Sequence, residues 1–98
     1  MIRHILLIKF KLSADPSKIE QAKALFESMP AKIAGIDSVE WGLNDSPEML
    51  NKEFTHAVLM TFVNEAARQA YLPHPEHEAL KQVFVPLIAD IIVFDYSV

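Results

Sequence analysis

The chain has 98 residues, 51% of them hydrophobic, and carries nine basic against thirteen acidic residues for a formal net charge of −4. That length fits one domain over residues 1–98, and a chain so short buries only a limited share of its surface alone. The absence of cysteine excludes disulfides, thiolate catalysis, cysteine zinc sites and iron–sulfur clusters. With no signal-like segment at the start (the apolar run Ile5 to Ile8 is too short), a reducing, cytoplasmic location is the expectation. No Lys/Arg cluster suggests a nucleic-acid partner, and no apolar run approaches a membrane span. Only Gly35 and Gly42 occur, so phosphate-cradling glycine loops are excluded.

Residues 2–11 read as a strand with Ile2, His4, Leu6, Ile8 and Phe10 on one face, while Ile5 and Leu7 make the other face apolar as well. Asp15-Pro16 is a helix start, followed by Ile19, Ala22, Phe26, Met29 and Ile33 at helical spacing; Pro30 is expected to end or kink that helix. Ser38 to Asn44 is a second strand, with Val39, Trp41 and Leu43 on one face, and Asn44-Asp45-Ser46-Pro47 turns the chain into a polar connection. Thr55 to Phe62 is a third strand, with His56, Val58, Met60 and Phe62 on one face and Ala57 and Leu59 on the other. Asn64 caps a short helix through Leu72, and Pro73-His74-Pro75 breaks the chain. A further helix runs from Pro75 to near Pro86 on a stripe of Leu80, Val83, Phe84 and Leu87, and Asp90 to Tyr96 is the last strand.

Strand, helix, strand, strand, helix or helix pair, strand is the split β-α-β order of an α+β, ferredoxin-like antiparallel sheet with helices on one face. An ordinary sheet of this kind has a polar outer face. Here Ile5, Leu7, Ala57 and Leu59 lie outside, which predicts a homodimer formed through the uncovered sheet face.

The candidate chemistry lies in four histidines, His4, His56, His74 and His77, and in Tyr71. His4 and His56, each read as lying near the start of its strand, are expected to point toward the same end of the sheet as the Tyr71–His77 corner. A neutral imidazole takes a proton near pH 7, and a phenol hydroxyl can hold a substrate carbonyl as charge develops on it. The pair is the minimum needed to abstract a proton next to a carbonyl. Each residue also has a plain reading: His4 and His56 as core histidines bonded to backbone, His74 as a helix cap. The histidine spacings match no metal motif, and neither a metal nor a cofactor is expected.

Ile2-Arg3-His4-Ile5-Leu6-Leu7-Ile8-Lys9-Phe10-Lys11, Val39-Glu40-Trp41-Gly42, Phe54-Thr55-His56-Ala57, the segment Tyr71 to His77 and Val93-Phe94-Asp95-Tyr96 together resemble the stress-responsive α/β-barrel (Dabb) family, in order and over almost the whole chain. The resemblance implies a ferredoxin-like subunit that pairs into a dimeric α/β barrel. One plant member of the family is a polyketide cyclase that closes a linear thioester by aldol condensation, and His4, His56, Tyr71 and His77 look matched to its pocket residues. By that likeness His77 and Tyr71 are the catalytic candidates, His77 as base and Tyr71 orienting the substrate, with His4 and His56 as substrate-binding candidates. The ligand would be a small hydrophobic carbonyl or polyketide-like compound. Family members associated with a metal after the first helix find only backbone carbonyls here, around Ala31 to Ile36. The competing function is a non-catalytic dimer that binds a small ligand or supports stress tolerance; a cofactor-independent monooxygenase is a third, resting on fold analogy alone.

Overall fold

Strand β1 (Ile2–Phe10) occupies the middle of the sheet. Its even residues go inward, with Ile2, Leu6 and Ile8 buried, while Leu7 is exposed on the far side. The computed structural model describes residues 1–98. After β1 come α1 (Pro16–Lys32), β2 (Ile36–Leu43), β3 (His56–Phe62), α2 (Glu65–Tyr71), α3 (Pro75–Phe84), a 3₁₀ turn at Val85–Leu87 and β4 (Ile88–Ser97). The sheet order is β2-β3-β1-β4 and every neighbouring pair is antiparallel. This is the ferredoxin-like α+β fold.

Each helix begins where a side chain satisfies an orphan amide. Asp15 Oδ1 accepts from the Ser17 N–H at 2.9 Å, Asn64 Oδ1 from Ala67 N–H at 2.9 Å, and His74 Nδ1 from Glu76 N–H at 3.0 Å. His74 is thus the N-cap of α3, the plain reading of that residue. Pro30 neither ends nor replaces the last turn of α1, contrary to expectation. It removes one amide donor close to the helix end, and α1 continues to Lys32, where Ile33 N–H still reaches the Met29 carbonyl at 2.9 Å. Strand β2 starts at Ile36, two residues earlier than its pattern suggests, because a register shift between Ile36 and Ser38 interrupts the alternation. A second shift, between Lys9 and Phe10, pairs Phe10 with Ile88 and so carries β4 back to that residue.

The core lies between the sheet and the helices. Ile8, Val58, Met60 and Phe62 meet Phe26 and Met29 of α1 and Leu80 of α3, all almost fully buried. The other sheet face carries no helix. On it Ile5 pairs with Leu59 on one side and Phe94 on the other, and Leu7 with Ala57 and Ile92. Phe94 is 59% exposed and Ile92 42%.

Gly35 turns the chain from α1 into β2 with φ of +92°, and a Cβ there would stand 2.5 Å from the Ala67 Cβ of α2. Both the dihedral and the contact exclude a side chain. Gly35→Ala should therefore lower stability by about 1–3 kcal/mol, read as a shift of the urea midpoint at unchanged slope.

Candidate active site

A cavity of about 470 Å³ opens between β1, β4 and α3, with Leu6, Phe26, Leu80, Phe84 and Ile91 among its walls. Ten of its thirteen lining residues are apolar or aromatic, which leaves His4, His77, Lys81 and the Tyr71 hydroxyl to supply its polar chemistry. The volume falls within the usual range of small-molecule sites.

Tyr71 ends α2 and is only 2% exposed. Its hydroxyl has no protein hydrogen-bond partner, yet no buried side-chain polar atom in the chain is left sealed and unpaired. The hydroxyl therefore opens onto the cavity that Tyr71 lines. Burial pushes its pKa well above the ordinary phenol value, so at neutral pH it is a hydrogen-bond donor.

The Pro73-His74-Pro75 corner folds the chain back so that α3 starts beside the end of α2. His74 N–H donates to the Tyr71 carbonyl at 3.0 Å. His77, one turn into α3, then stacks on the Tyr71 ring with centroids 4.1 Å apart and an interplanar angle of 27°. Its Nδ1 lies 3.0 Å from the Leu72 carbonyl oxygen. A carbonyl only accepts, so Nδ1 carries the proton of the neutral ring and Nε2 carries the lone pair. Burial pulls the His77 pKa below the ordinary histidine value; the Leu72 carbonyl opposes this, and the nearby Lys81 reinforces it. His77 is thus uncharged at neutral pH and ready to accept a proton at Nε2.

His4 reaches the same cavity from β1, with its ring edge-on to Tyr71 at 6.4 Å and tilted on Phe62 at 6.0 Å. Its cross-strand partner on β4 is Asp95, and Nδ1 of His4 lies 2.7 Å from Asp95 Oδ1. Asp95 Oδ2 accepts from Arg68 Nη1 of α2 at 3.1 Å, and Arg68 also bridges to Glu65.

His56 does not join this group. It was expected at the same end of the sheet as His4, but β1 and β3 run antiparallel, so the start of one lies beside the end of the other. His4 stands opposite Met60, whereas His56 stands opposite Ile8. There its ring packs against Phe10 at 4.9 Å and Trp41 at 5.5 Å, and its Nδ1 lies 2.7 Å from Thr55 Oγ1. It does not line the cavity. Burial lowers its pKa, as it does for His77.

The sequence reading missed three residues of the site. Asp95 is not among the candidate residues read from the sequence, although its parity with Ile91 and Val93 places it on the inner face. Arg68 carries no local signal at all, because its role depends on how α2 docks. Lys81, one turn after His77, joins the cavity wall with its ammonium paired to Glu78 at 2.7 Å.

The Dabb model, described as the stress responsive A/B barrel domain, matches residues 2–98. This chain belongs to the Dabb family. It is similar, at 32% identity over 98% of its own length and 85% of the relative's, to the stress-response A/B barrel domain-containing protein At5g22580 of Arabidopsis thaliana. It is 24% identical to olivetolic acid cyclase of Cannabis sativa, covering 98% of this chain and 95% of the cyclase. Among solved structures it resembles At3g17210 of Arabidopsis thaliana, with a TM-score of 0.91 and 28% identity over 100% of this chain and 95% of that one. It also resembles a dimeric ferredoxin-like protein of unknown function from Thermobifida fusca, with a TM-score of 0.82 and 25% identity over 99% and 90% of the two chains. In this Dabb chain no helix is long and apolar enough to cross a membrane.

Both His56 and His77 have pKa values lowered by burial, so below the ordinary histidine value the unfolded chain binds protons that the folded chain does not. Their contribution to stability is complete above about pH 6.5 and is lost as pH falls from there toward the folded pKa values. The urea midpoint should drop between about pH 7.5 and 5.5, and His56→Gln and His77→Gln should each flatten part of that drop.

Proposed function

We propose that this protein is a cofactor-free enzyme on a small, largely apolar carbonyl or polyketide-like compound, with His77 as base and Tyr71 as the hydrogen-bond donor to a carbonyl. The observation that carries this reading is the stacked His77–Tyr71 pair on the wall of an otherwise apolar cavity of about 470 Å³. The likeness to olivetolic acid cyclase supports it.

In this reaction His77 Nε2 removes a proton from a carbon between two carbonyls. The electron pair moves onto a carbonyl oxygen that accepts a hydrogen bond from Tyr71. The enolate carbon then adds to a second carbonyl of the same molecule, forming one carbon–carbon bond, and the new alkoxide recovers the proton from the His77 imidazolium. No electrons enter or leave, which is why the group needs no redox partner. The dry walls strengthen the hydrogen bond from Tyr71 and keep His77 in its neutral, proton-accepting form. His4 is the third polar group facing the substrate. His56 stands outside the cavity and takes no part in the step.

The same reading includes a homodimer paired through the outer sheet face. Ile5, Leu7, Leu59, Ile92 and Phe94 form an apolar surface there that no helix covers, and related ferredoxin-like structures are dimeric.

The competing reading, ligand binding without turnover, rests on the apolar walls alone. A screen of β-keto thioesters separates the two. Turnover should fall about 100-fold or more in both His77→Ala and Tyr71→Phe. The acid limb of kcat/KM should turn below the ordinary histidine pKa, because burial lowers the His77 value and keeps it in the basic form to lower pH. Affinity without turnover, and equally strong in both variants, is the outcome that leaves only binding.

Light scattering tests the pairing. The wild type should run at twice its 11.1 kDa chain mass, and Ile92→Glu, a charge placed where the monomer already exposes its side chain, should run at the monomer mass with its fold intact.

A further inference from the structure

The four charged or titratable groups His4, Asp95, Arg68 and Glu65 form one chain of contacts from the cavity wall to the outer side of α2. His4 lies on β1, Asp95 beside it on β4, and Arg68 and Glu65 on α2. The two oxygens of Asp95 are divided between two donors: Oδ1 meets His4 Nδ1 at 2.7 Å and Oδ2 meets Arg68 Nη1 at 3.1 Å. Glu65 holds the far side of the same guanidinium and also accepts from Gln69 at 2.8 Å.

This geometry decides which ring nitrogen of His4 carries the proton. A carboxylate offers only lone pairs, so a neutral His4 with its proton on Nε2 would bring the Nδ1 lone pair against Asp95 Oδ1. With the proton on Nδ1 the same 2.7 Å contact becomes a charge-assisted hydrogen bond. Nε2 then carries a lone pair, has no protein partner and is not sealed, and His4 lines the cavity. A neutral His4 in this state cannot donate to a substrate carbonyl; it can only accept. The task of polarising a carbonyl then falls to Tyr71.

Arg68 matters because a carboxylate held by one donor alone can rotate about its χ2 angle. The guanidinium fixes Oδ2, and the antiparallel pairing of His4 with Asp95 fixes the backbone beneath. We propose that Arg68 is a positioning residue which, through Asp95, holds His4 with its proton on Nδ1 and presents Nε2 to the cavity as a second hydrogen-bond acceptor beside His77. The site then has two acceptors flanking one phenol donor, a pattern that fits a ligand offering an acidic C–H and an O–H around a carbonyl. The acceptor's catalytic use rests on the enzyme reading above; the tautomer and its control by Arg68 do not.

The test is a long-range proton–nitrogen correlation spectrum of the full chain labelled with ¹⁵N-histidine, taken at about pH 8, above the ordinary imidazole range. The wild type should show His4 protonated at Nδ1 and bare at Nε2. Asp95→Asn should move most of the population to the Nε2-protonated form, because the Asn amide can donate to Nδ1. Arg68→Met should lower the Nδ1-protonated fraction, and Arg68→Lys should restore it. Arg68→Gln, which keeps a polar side chain on α2, replaces Arg68→Met if that variant does not fold. A wild-type His4 protonated at Nε2 or at both nitrogens overturns the proposal, and so does an Arg68→Met spectrum identical to that of the wild type. If β-keto thioesters are turned over, Asp95→Asn should cost about 100-fold in kcat with little change in KM. If none is turned over, the enzyme reading fails while the tautomer result still stands.

Discussion

The position of β1 in the centre of the sheet is the constraint on which both faces of this molecule depend. It pairs with β3 and β4 at once, so its alternation is imposed on both neighbours. A slip of one residue would exchange its two faces, sending His4 out and Ile5 in. The slip is blocked because Ile2, Leu6 and Ile8 must stay under the helices, where each is 6% exposed or less. The same register sets His4 directly opposite Asp95, so the polar pair at the cavity is a by-product of the apolar packing around it.

Much of this was legible in the sequence because it follows local rules. The alternation of residues 2–10, the Asp15-Pro16 and Asn64 helix starts and the Pro73-His74-Pro75 break each act through a few neighbouring residues, and their elements formed as read. Tyr71 and His77 were found together for the same reason: a corner of two prolines can only bring the end of one helix against the start of the next. What failed depends on pairing. Placing His56 with His4 treated distance from a strand start as a shared coordinate, which antiparallel strands do not have. Asp95 could have been placed by parity, but its partner could not, since Arg68 comes from a helix whose docking depends on the tight approach at Gly35. Lys81 carries no signal in the sequence pattern, and only the presence of the cavity makes it a lining residue.

The cavity is also a stability problem. A chain of this size has little core to spare, and open volume means that Leu6, Phe26 and Phe84 give up part of the dispersion contact a filled interior would provide. The aromatic contacts Phe26–Phe84 at 5.0 Å, Phe62–Tyr71 at 5.2 Å and Tyr71–His77 at 4.1 Å recover some of it through ring-on-ring packing. The same stacking sets the phenol and the imidazole side by side on one wall.

The uncovered sheet face bears on the same problem from the other side. In β1 and β4 outer-face residues and cavity-side residues alternate along one backbone: Ile5 follows His4, and Phe94 precedes Asp95. The proposed pairing through Ile5, Leu59, Ile92 and Phe94 would bury apolar surface that the monomer leaves exposed, and would therefore add stability that the cavity withholds. It would do so on the face opposite the cavity, so it would leave the cavity lined by His77 and Lys81 uncovered. It would also tighten the two strands whose register carries the His4–Asp95 pair. In a dimer paired this way the partner need not contribute a side chain to the cavity in order to bear on it, because the backbone it would hold still is the backbone from which His4 and Asp95 project.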